Sequence, residues 1–369
     1  MPRRVYFSLM TTRVGIPKEI KMDESRVALT PEGVKELTTH GAQVFVEHNA
    51  GAGIHLSDDA YAQQGATICD ATTAWGCDLV VKVKEPQKSE FAYFRKDLTL
   101  FTYLHLAAYP HVADALCEAG VTGIAYETVL VDGGLPLLAP MSEIAGKLSI
   151  QVAMRFLEKP QGGRGVLLSG ASGVAPAHVS VLGAGHVGLN AALLASAMGA
   201  HVDLIDINTE KLRAIDEQHP GKFNTLASSP STILESISKA DAVIGGVLVP
   251  GGRAPIVVTT DMVSQMKPGS IVVDTAIDQG GCIETSHETS HAEPIYMVGD
   301  VIHYAVGNMP GAVPYTSTYA LTNATLSYIV ALATQPLDDA ADKVEGLREG
   351  INTRDGEIVN EFVKKAVLA

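Results

Sequence analysis

The chain has 369 residues, of which 46% are apolar and 18% are charged, and this composition argues against intrinsic disorder. The formal net charge of −14 argues against nucleic-acid binding, which usually needs a basic patch, and against attachment to anionic membranes. A chain of this length favours two domains, and an anionic substrate would have to be met by locally placed cations.

The first part of the chain alternates predicted strands and helices. Strands are predicted at 13–17, 42–48, 78–84, 98–105 and 123–129. Thr30 followed by Pro31 is typical of a helix N-terminus, and Asp58 can cap a second helix. Because helices separate the strands, we expect βαβ units and a mostly parallel sheet.

The remainder of the chain begins with a long predicted helix at 142–158 and a glycine-rich segment at 162–173. Further strands are predicted at 178–182, 201–205, 242–247 and 271–274. The chain is predicted to return to helix from about residue 316 onward, with 323–333 strongly apolar, and the last 35 residues are polar and weakly patterned.

The segment before residue 13 has an apolar stretch too short and too broken for a signal peptide, so we expect about a dozen disordered residues there. No uncharged apolar run is long enough to span a bilayer. The cysteines are scattered without a CxxC pair, which favours reduced thiols; they are Cys69, Cys77, Cys117 and Cys282. We therefore expect a cytoplasmic protein with no membrane partner and no metal site.

The most specific motif is a G-x-G-x-x-G sequence formed by Gly183, Gly185 and Gly188 between a predicted strand and a predicted helix. In a dinucleotide-binding turn, the first glycine permits the tight turn and the second lets the backbone approach the pyrophosphate. The third lets the helix pack closely on the strand, and the helix N-terminus faces the phosphates. His186 lies inside this motif at a position that tolerates varied side chains.

Asp206 ends the next predicted strand, 23 residues beyond Gly183. A carboxylate there can accept hydrogen bonds from the ribose hydroxyls and would repel a 2′-phosphate, so NAD is favoured over NADP. Lys211 and Arg213 lie nearby and keep NADP possible, and Asp206 could instead only cap a turn. Val247, at the end of a later predicted strand, and Asn308 are predicted to lie near the nicotinamide.

These elements predict an α/β fold with two Rossmann-like domains and mostly parallel sheets. An NAD-binding domain at 138–315 is inserted into a discontinuous substrate domain at 1–137 plus 316–369. A cleft between two such domains is a usual place for a substrate.

Candidate substrate-binding residues lie near predicted strand ends in the first part of the chain. Lys82 and Lys84 share one face of a strand, and the position nearer the carboxyl end favours Lys84. His105 ends the next strand and could exchange protons near neutral pH. Arg26 could bind a carboxylate with two hydrogen bonds. The alternatives are an exposed edge strand for the lysines, a buried structural histidine and a surface arginine.

Two carboxylates follow a predicted strand in the second domain. Asp274 stands at the strand end, and Asp278 lies in the loop beyond it, where it is better placed to reach a bound substrate. Either could orient water or exchange a proton, and either could simply form a turn.

Taken together, these segments resemble the alanine dehydrogenase family, which includes the N-terminal domain of transhydrogenases. The likeness covers about residues 13–334. The segments that carry it, besides the glycine motif, are 13–19, 26–31, 82–86, 101–108, 136–146, 162–165, 277–282, 308–310 and 316–323.

The resemblance implies NAD-dependent, reversible oxidative deamination of L-alanine to pyruvate and ammonium by a homohexamer. It implies that Arg26 and Lys84 bind the substrate carboxylate and carbonyl oxygen, that His105 is the acid–base group, and that Asp278 is its partner. It also implies cofactor contacts, from Ser142, Gly183, Gly185, Gly188, Asp206, Lys211, Val247 and Asn308.

Two other functions remain open at this stage. The soluble NAD-binding part of a proton-translocating transhydrogenase has a similar fold and similar early motifs, but it differs at 140–146 and needs membrane partners. A non-catalytic NAD-binding sensor would need the nucleotide site but no cationic pocket, so Arg26, Lys84 and His105 argue against it.

Overall fold

A computed structural model describes residues 12–247 and 253–368, so the expected disordered N-terminal segment lies outside the described residues. The chain forms two compact units. The first unit comprises Met1–Pro140 with Val313–Ala369, and the second comprises Met141–Ala312. The assignment of these units to substrate and nucleotide stays a prediction.

The N-terminal part of the first unit alternates strands with helices. Its elements are β1 (Arg13–Ile16), α1 (Pro31–Thr39), β2 (Gln43–Glu47), α2 (Asp58–Gln63), β3 (Thr67–Cys69), α3 (Ala71–Trp75), β4 (Leu79–Val81), β5 (Thr99–Thr102), α4 (Pro110–Ala119) and β6 (Thr122–Ala125).

The same alternation recurs in the middle of the chain. The elements there are α5 (Ala139–Phe156), β7 (His178–Leu182), α6 (His186–Ala197), β8 (His201–Asp206), α7 (Thr209–Gln218), β9 (Asn224–Ala227), α8 (Pro230–Lys239), β10 (Ala242–Gly245), α9 (Thr260–Val263), β11 (Ile271–Asp274), β12 (Ile295–Val298) and β13 (Val301–Tyr304).

The C-terminal part returns to the first unit. It contains α10 (Pro314–Thr334), α11 (Leu337–Lys343), α12 (Leu347–Gly350), β14 (Ile351–Arg354), β15 (Glu357–Ile358) and α13 (Glu361–Leu368). The sequence suggested little structure in this tail, but β14 pairs antiparallel with β6. The hydroxyl of Thr353 accepts a hydrogen bond from the Gly123 N–H and donates one to the Val121 carbonyl, each at 3.0 Å.

Each unit is built on a mostly parallel sheet, and both sheets have the same internal order. The first sheet runs β15-β14-β6-β5-β4-β1-β2-β3, and the second runs β12-β13-β11-β10-β7-β8-β9. Strand order therefore reverses between β1 and β4 and between β7 and β10. Ligands of open α/β sheets bind outside the carboxyl ends of the strands at such switch points. The predicted α/β class with two Rossmann-like, mostly parallel sheets is confirmed.

Buried apolar residues cover both faces of each sheet, as expected when helices pack on both sides. In the first unit, residues of β4 and β5 pack with α4 in one such cluster. In the second unit, residues of β10 and β11 pack with α8 in another. The rigid strands thereby fix the loops that leave their carboxyl ends. Among the described residues, no helix is both long and apolar enough to cross a membrane.

Several predicted boundaries differ from the structure. The strand predicted at 78–84 ends at Val81, and the one predicted at 98–105 ends at Thr102. Beyond these points the N–H groups of Val83 and His105 donate to carboxylates and not to a neighbouring strand. Helix α2 is capped by Ser57, whose hydroxyl accepts from the Ala60 N–H, and not by Asp58.

Candidate active site

The two lysines after β4 occupy different environments. Lys82 is fully buried, and its Nζ lies 2.9 Å from a Glu19 oxygen and 3.0 Å from a Glu90 oxygen. Lys84 is also buried, and its Nζ lies 3.3 Å from Nε2 of His105. Lys82 is therefore part of a buried ion-pair network, whereas Lys84 stands beside the candidate acid–base group.

His105 lies in the loop after β5 and is partly buried. Its ring stacks on the ring of Tyr103, with centroids 5.7 Å apart and planes at 10°. Burial, followed by the positive charges of Lys84, Lys21 and Arg26, lowers the pKa of His105 well below the ordinary value. The imidazole is therefore neutral at neutral pH and can accept a proton.

Glu127 lies in the turn after β6 and contacts the backbone of the His105 loop. Its Oε1 accepts a hydrogen bond from the His105 N–H at 2.6 Å and another from the Leu104 N–H at 3.2 Å. Burial raises the pKa of Glu127 to about 7, although the backbone hydrogen bonds and Lys84 favour the charged form. No local sequence pattern marks Glu127, because only the pairing of β5 with β6 brings it to His105.

Arg26 follows β1 and is buried against Glu24. Its Nε lies 2.7 Å from Glu24 Oε1, and its Nη2 lies 2.5 Å from Glu24 Oε2. Burial disfavours the charge, but Glu24 outweighs it and raises the pKa of Arg26. The guanidinium is thus held in one orientation by a two-point ion pair, and the surface-arginine alternative is wrong.

A third cation lies close to this group. Lys21 Nζ is 2.5 Å from Glu85 Oε1 and 3.5 Å from the hydroxyl of Tyr109. Its charge is among those that lower the pKa of His105. Lys21 and Glu24 were not predicted from the sequence, although both lie in the segment between β1 and α1 that precedes Thr30.

In the first unit, the loops after β1, β4 and β5 therefore bring Arg26, Lys84 and His105 together near a switch point. Two cations can neutralise a small carboxylate or polarise a carbonyl, and a neutral imidazole can take up a proton. This combination suits acid–base chemistry on a small anionic substrate.

The glycine motif of the second unit follows β7 at the switch point of its sheet. Gly183 has φ +95°, and a Cβ there would lie 2.7 Å from the Gly246 carbonyl oxygen. A Cβ on Gly188 would lie 1.7 Å from the Gly183 carbonyl oxygen, so α6 touches the turn. A Cβ on Gly185 would meet nothing within 4 Å, which leaves open space before the N-terminus of α6. The turn therefore fits a pyrophosphate.

Ser142 lies one helical turn before Gly146 on α5. A Cβ on Gly146 would lie 2.2 Å from the carbonyl oxygen of Val187, so this face of α5 packs against the first turn of α6. Ser142 is partly exposed on the same face. Its position therefore suits a contact with a nucleotide bound at the glycine turn.

Asp206 is held at the end of β8 beside the same turn. Its Oδ2 accepts a hydrogen bond from the Ala184 N–H at 2.7 Å, its Oδ1 accepts one from the Asn208 N–H at 2.8 Å, and Lys211 Nζ lies 3.3 Å from Oδ2. Burial would raise the pKa of Asp206, but these contacts lower it below the ordinary value. The carboxylate is therefore charged and aligned with the turn, where it can accept bonds from ribose hydroxyls.

The two carboxylates after β11 have different environments. Asp274 is buried and accepts backbone hydrogen bonds from Ala276, Cys282 and Ile283, so it forms the turn. Asp278 is exposed, and its Oδ1 lies 3.2 Å from the backbone nitrogen of Asn308, which has φ +57°. Asp278 is thus the one of the two that can meet a substrate. Val247 is partly buried after β10, and Leu248 lies outside the described residues.

Two models of the same family match this chain. The model described as alanine dehydrogenase/PNT, N-terminal domain, matches residues 15–145, and the corresponding C-terminal domain model matches residues 149–361. Alanine dehydrogenase from Bacillus subtilis (strain 168) is 50% identical over 354 residues, covering 95% of this chain and 94% of the relative. Alanine dehydrogenase from Mycolicibacterium smegmatis (strain ATCC 700084 / mc(2)155) is 51% identical over 355 residues, covering 95% and 96%.

Two solved structures are also similar along nearly the whole chain. A structure of L-alanine dehydrogenase has a TM-score of 0.92 and 48% identity, covering 96% of this chain and 98% of its own. A structure of transhydrogenase from Sinorhizobium meliloti has a TM-score of 0.79 and 26% identity, covering 95% and 99%. The resemblance inferred from the sequence motifs is confirmed: the chain belongs to the alanine dehydrogenase/PNT family.

Proposed function

We propose that this chain is an NAD-dependent alanine dehydrogenase that interconverts L-alanine with pyruvate and ammonium. The observation that carries the proposal is the contact between Lys84 and His105 beside buried Arg26. A protein that binds a nucleotide but catalyses no reaction needs no such cluster of Arg26, Lys84 and His105. The relatives of about 50% identity, which are named alanine dehydrogenase, support the same conclusion.

Binding and orientation come first in the proposed reaction. Arg26 binds the substrate carboxylate, and Lys84 binds its carboxylate and, in pyruvate, the carbonyl oxygen. Gly183, Gly185 and Gly188 with the N-terminus of α6 bind the pyrophosphate. Asp206 binds the ribose, beside Lys211. Ser142, Val247 and Asn308 are the further proposed cofactor contacts.

NAD held by these residues would supply the acceptor for the hydride that leaves the Cα of alanine, and the substrate, with its amine deprotonated, would become iminopyruvate. Water then adds to the imine carbon while His105 accepts the proton that the water loses. His105 returns that proton to the amine nitrogen and then takes up the proton of the hydroxyl, so the C–N bond breaks, ammonia leaves and the carbonyl of pyruvate forms. Asp278 is proposed as the second group that orients water or exchanges protons. Amination of pyruvate follows the same steps in reverse.

The decisive experiment is formation of NADH from NAD and L-alanine by the purified protein alone. The proposal expects turnover that depends on alanine, and it expects His105→Ala to lower turnover by about 10²–10⁴-fold. Near-normal turnover in His105→Ala would reject the assignment of that residue. Hydride exchange between two nucleotides without alanine oxidation would favour a transhydrogenase subunit, and NAD binding without turnover would favour a sensor.

We extend the proposal to a cytoplasmic homohexamer whose partners are small molecules. The four cysteines are all free thiols, as a reducing compartment would leave them. Light scattering coupled to size-exclusion chromatography measures the assembly, and a monomer would contradict the hexamer without affecting the proposed reaction.

A further inference from the structure

The backbone at His105 has a conformation that side-chain-bearing residues rarely adopt. The residue has φ +47°, in the left-handed region where a Cβ crowds the backbone. It stands three positions after Thr102, the last residue of β5. A residue held in this region needs the surrounding structure to over-determine it, and such residues cluster at functional sites.

The carboxylate of Glu127 binds the N–H side of this backbone, and the His105 carbonyl accepts from the N–H groups of Ala108 and Tyr109 at 2.8 and 3.0 Å. Strands β5 and β6 are neighbours with Thr102 opposite Ala125, so the loops that follow them leave the sheet side by side. Glu127 Oε1 accepts the His105 N–H at 2.6 Å, and both of its oxygens lie within 3.3 Å of the Leu104 nitrogen. Two consecutive N–H groups that have no strand partner are thus satisfied by one side chain.

The same arrangement recurs at two other left-handed residues. Asn49 has φ +60°, and its N–H donates to Asp58 Oδ1 at 2.8 Å. Asn308 has φ +57°, and its N–H donates to Asp278. In all three places a carboxylate from another segment binds the N–H of the strained residue. His55, which has φ +62°, instead donates its N–H to the Ala52 carbonyl at 3.1 Å, so a carboxylate is one of two ways in which this chain satisfies such an N–H.

The backbone conformation decides where the imidazole points. From its present φ, the ring lies flat against Tyr103 and directs Nε2 to Lys84 Nζ. Tyr103 is itself fixed, because its hydroxyl donates to the Leu137 carbonyl at 2.6 Å. Relaxation of His105 to an extended conformation would swing its Cβ, and with it the ring, away from both neighbours.

We propose that Glu127 is the positioning residue for His105, because its carboxylate fixes the left-handed backbone from which the imidazole reaches Lys84. This inference deepens the proposed function and rests on it. Glu127 bonds to the backbone and not to the imidazole, so it acts through the placement of the ring.

The test compares Glu127→Ala with Glu127→Gln, and exposed Glu118→Ala on α4 serves as the control. Glutamine keeps a carbonyl acceptor for the His105 N–H and removes the charge, whereas alanine removes both. We expect Glu127→Ala to lower kcat about 10²-fold with a smaller change in the KM for alanine, because a misplaced catalytic group costs about that much. Glu127→Gln should recover most of the lost kcat, and the control should match the wild type.

A second measurement does not depend on turnover. Modification of His105 by diethyl pyrocarbonate, followed by peptide mass spectrometry, reports how well Tyr103 and Lys84 cover the ring. We expect the rate to rise several-fold in Glu127→Ala and to stay near the wild-type rate in Glu127→Gln.

The outcomes separate this inference from the proposed function. A wild-type protein that does not oxidise alanine defeats the proposed function, while the modification rates still test the contact between Glu127 and His105. If Glu127→Gln is as impaired as Glu127→Ala, charge or proton transfer matters and positioning is wrong. Unchanged modification of His105 in Glu127→Ala also overturns the inference, and Glu127→Gln gives the kcat comparison if the alanine variant fails to fold.

Discussion

Lys84 Nζ lies 3.3 Å from Nε2 of His105, so a cation and a titratable imidazole share one corner of the first unit. This contact opposes protonation of the ring, because two positive charges at that distance repel. Because an ammonium can only donate, Nε2 of the neutral imidazole accepts from Lys84, and a substrate that binds Lys84 would lie beside that nitrogen. In the proposed reaction, the pair would couple substrate binding to proton uptake.

Replacement of Lys84 by methionine should raise the pKa of His105 toward its ordinary value. Burial is the largest cause of the lowered pKa, and Lys84 is the next, so removal of this cation leaves a smaller depression. The pH dependence of His105 modification by diethyl pyrocarbonate measures the change. Exposed Lys88→Met is the control, and a Lys84→Met profile that overlays the wild type would show that Lys84 does not tune His105.

His105 should make the protein less stable in mild acid. Its folded-state pKa lies below the ordinary value, so below about pH 6.5 the unfolded chain binds a proton that the folded chain does not. Stability then falls with decreasing pH, by at most about 1.4 kcal/mol per pH unit for one group. Urea denaturation should show that the free energy of unfolding falls more steeply between pH 7 and pH 5 for the wild type than for His105→Gln. Equal slopes would contradict a depressed pKa.

Lys82→Met should destabilise the protein more than Lys84→Met does. Lys82 is buried between Glu19 and Glu90, and its removal leaves buried carboxylates without their cation, which costs about 3–5 kcal/mol. Lys84→Met should instead raise the KM for alanine. Urea denaturation and initial rates on both variants check this. A larger loss of stability in Lys84→Met, with the KM for alanine raised only in Lys82→Met, would show that Lys82 and not Lys84 binds the substrate.

Alanine substitutions at two glycines of the turn should affect different properties, namely stability at Gly188 and NAD affinity at Gly185. In Gly188→Ala, the new Cβ would lie 1.7 Å from the Gly183 carbonyl oxygen, so the melting temperature should fall. In Gly185→Ala, the Cβ meets no protein atom within 4 Å, so stability should hold while NAD affinity falls. Differential scanning fluorimetry and isothermal titration with NAD separate the effects. Undiminished NAD affinity in Gly185→Ala would place the pyrophosphate elsewhere.

Asp206→Asn should weaken NAD binding and reduce the preference for NAD over NADP. Hydrogen bonds to a charged group contribute about 1.5–3 kcal/mol, so the Kd for NAD should rise about tenfold or more. The affinity for NADP should rise relative to that for NAD, because the variant lacks the charge that repels the 2′-phosphate. Titration with both nucleotides tests this, with exposed Glu217→Gln on α7 as the control. An unchanged ratio of the two Kd values would argue that Asp206 does not contact the ribose.

The amino-acid sequence alone determined the sheet class and the nucleotide turn. Alternating strands and helices, the glycines at 183, 185 and 188, and Asp206 are local patterns whose geometry depends on neighbours along the chain. Tertiary structure decided which charged side chains serve a site. The neighbouring strands β1 and β4 bring Glu19 to Lys82, and the neighbouring strands β5 and β6 bring Glu127 to His105. Spacing in one strand cannot reveal such partners, because they come from other segments and only burial makes their charges interact strongly.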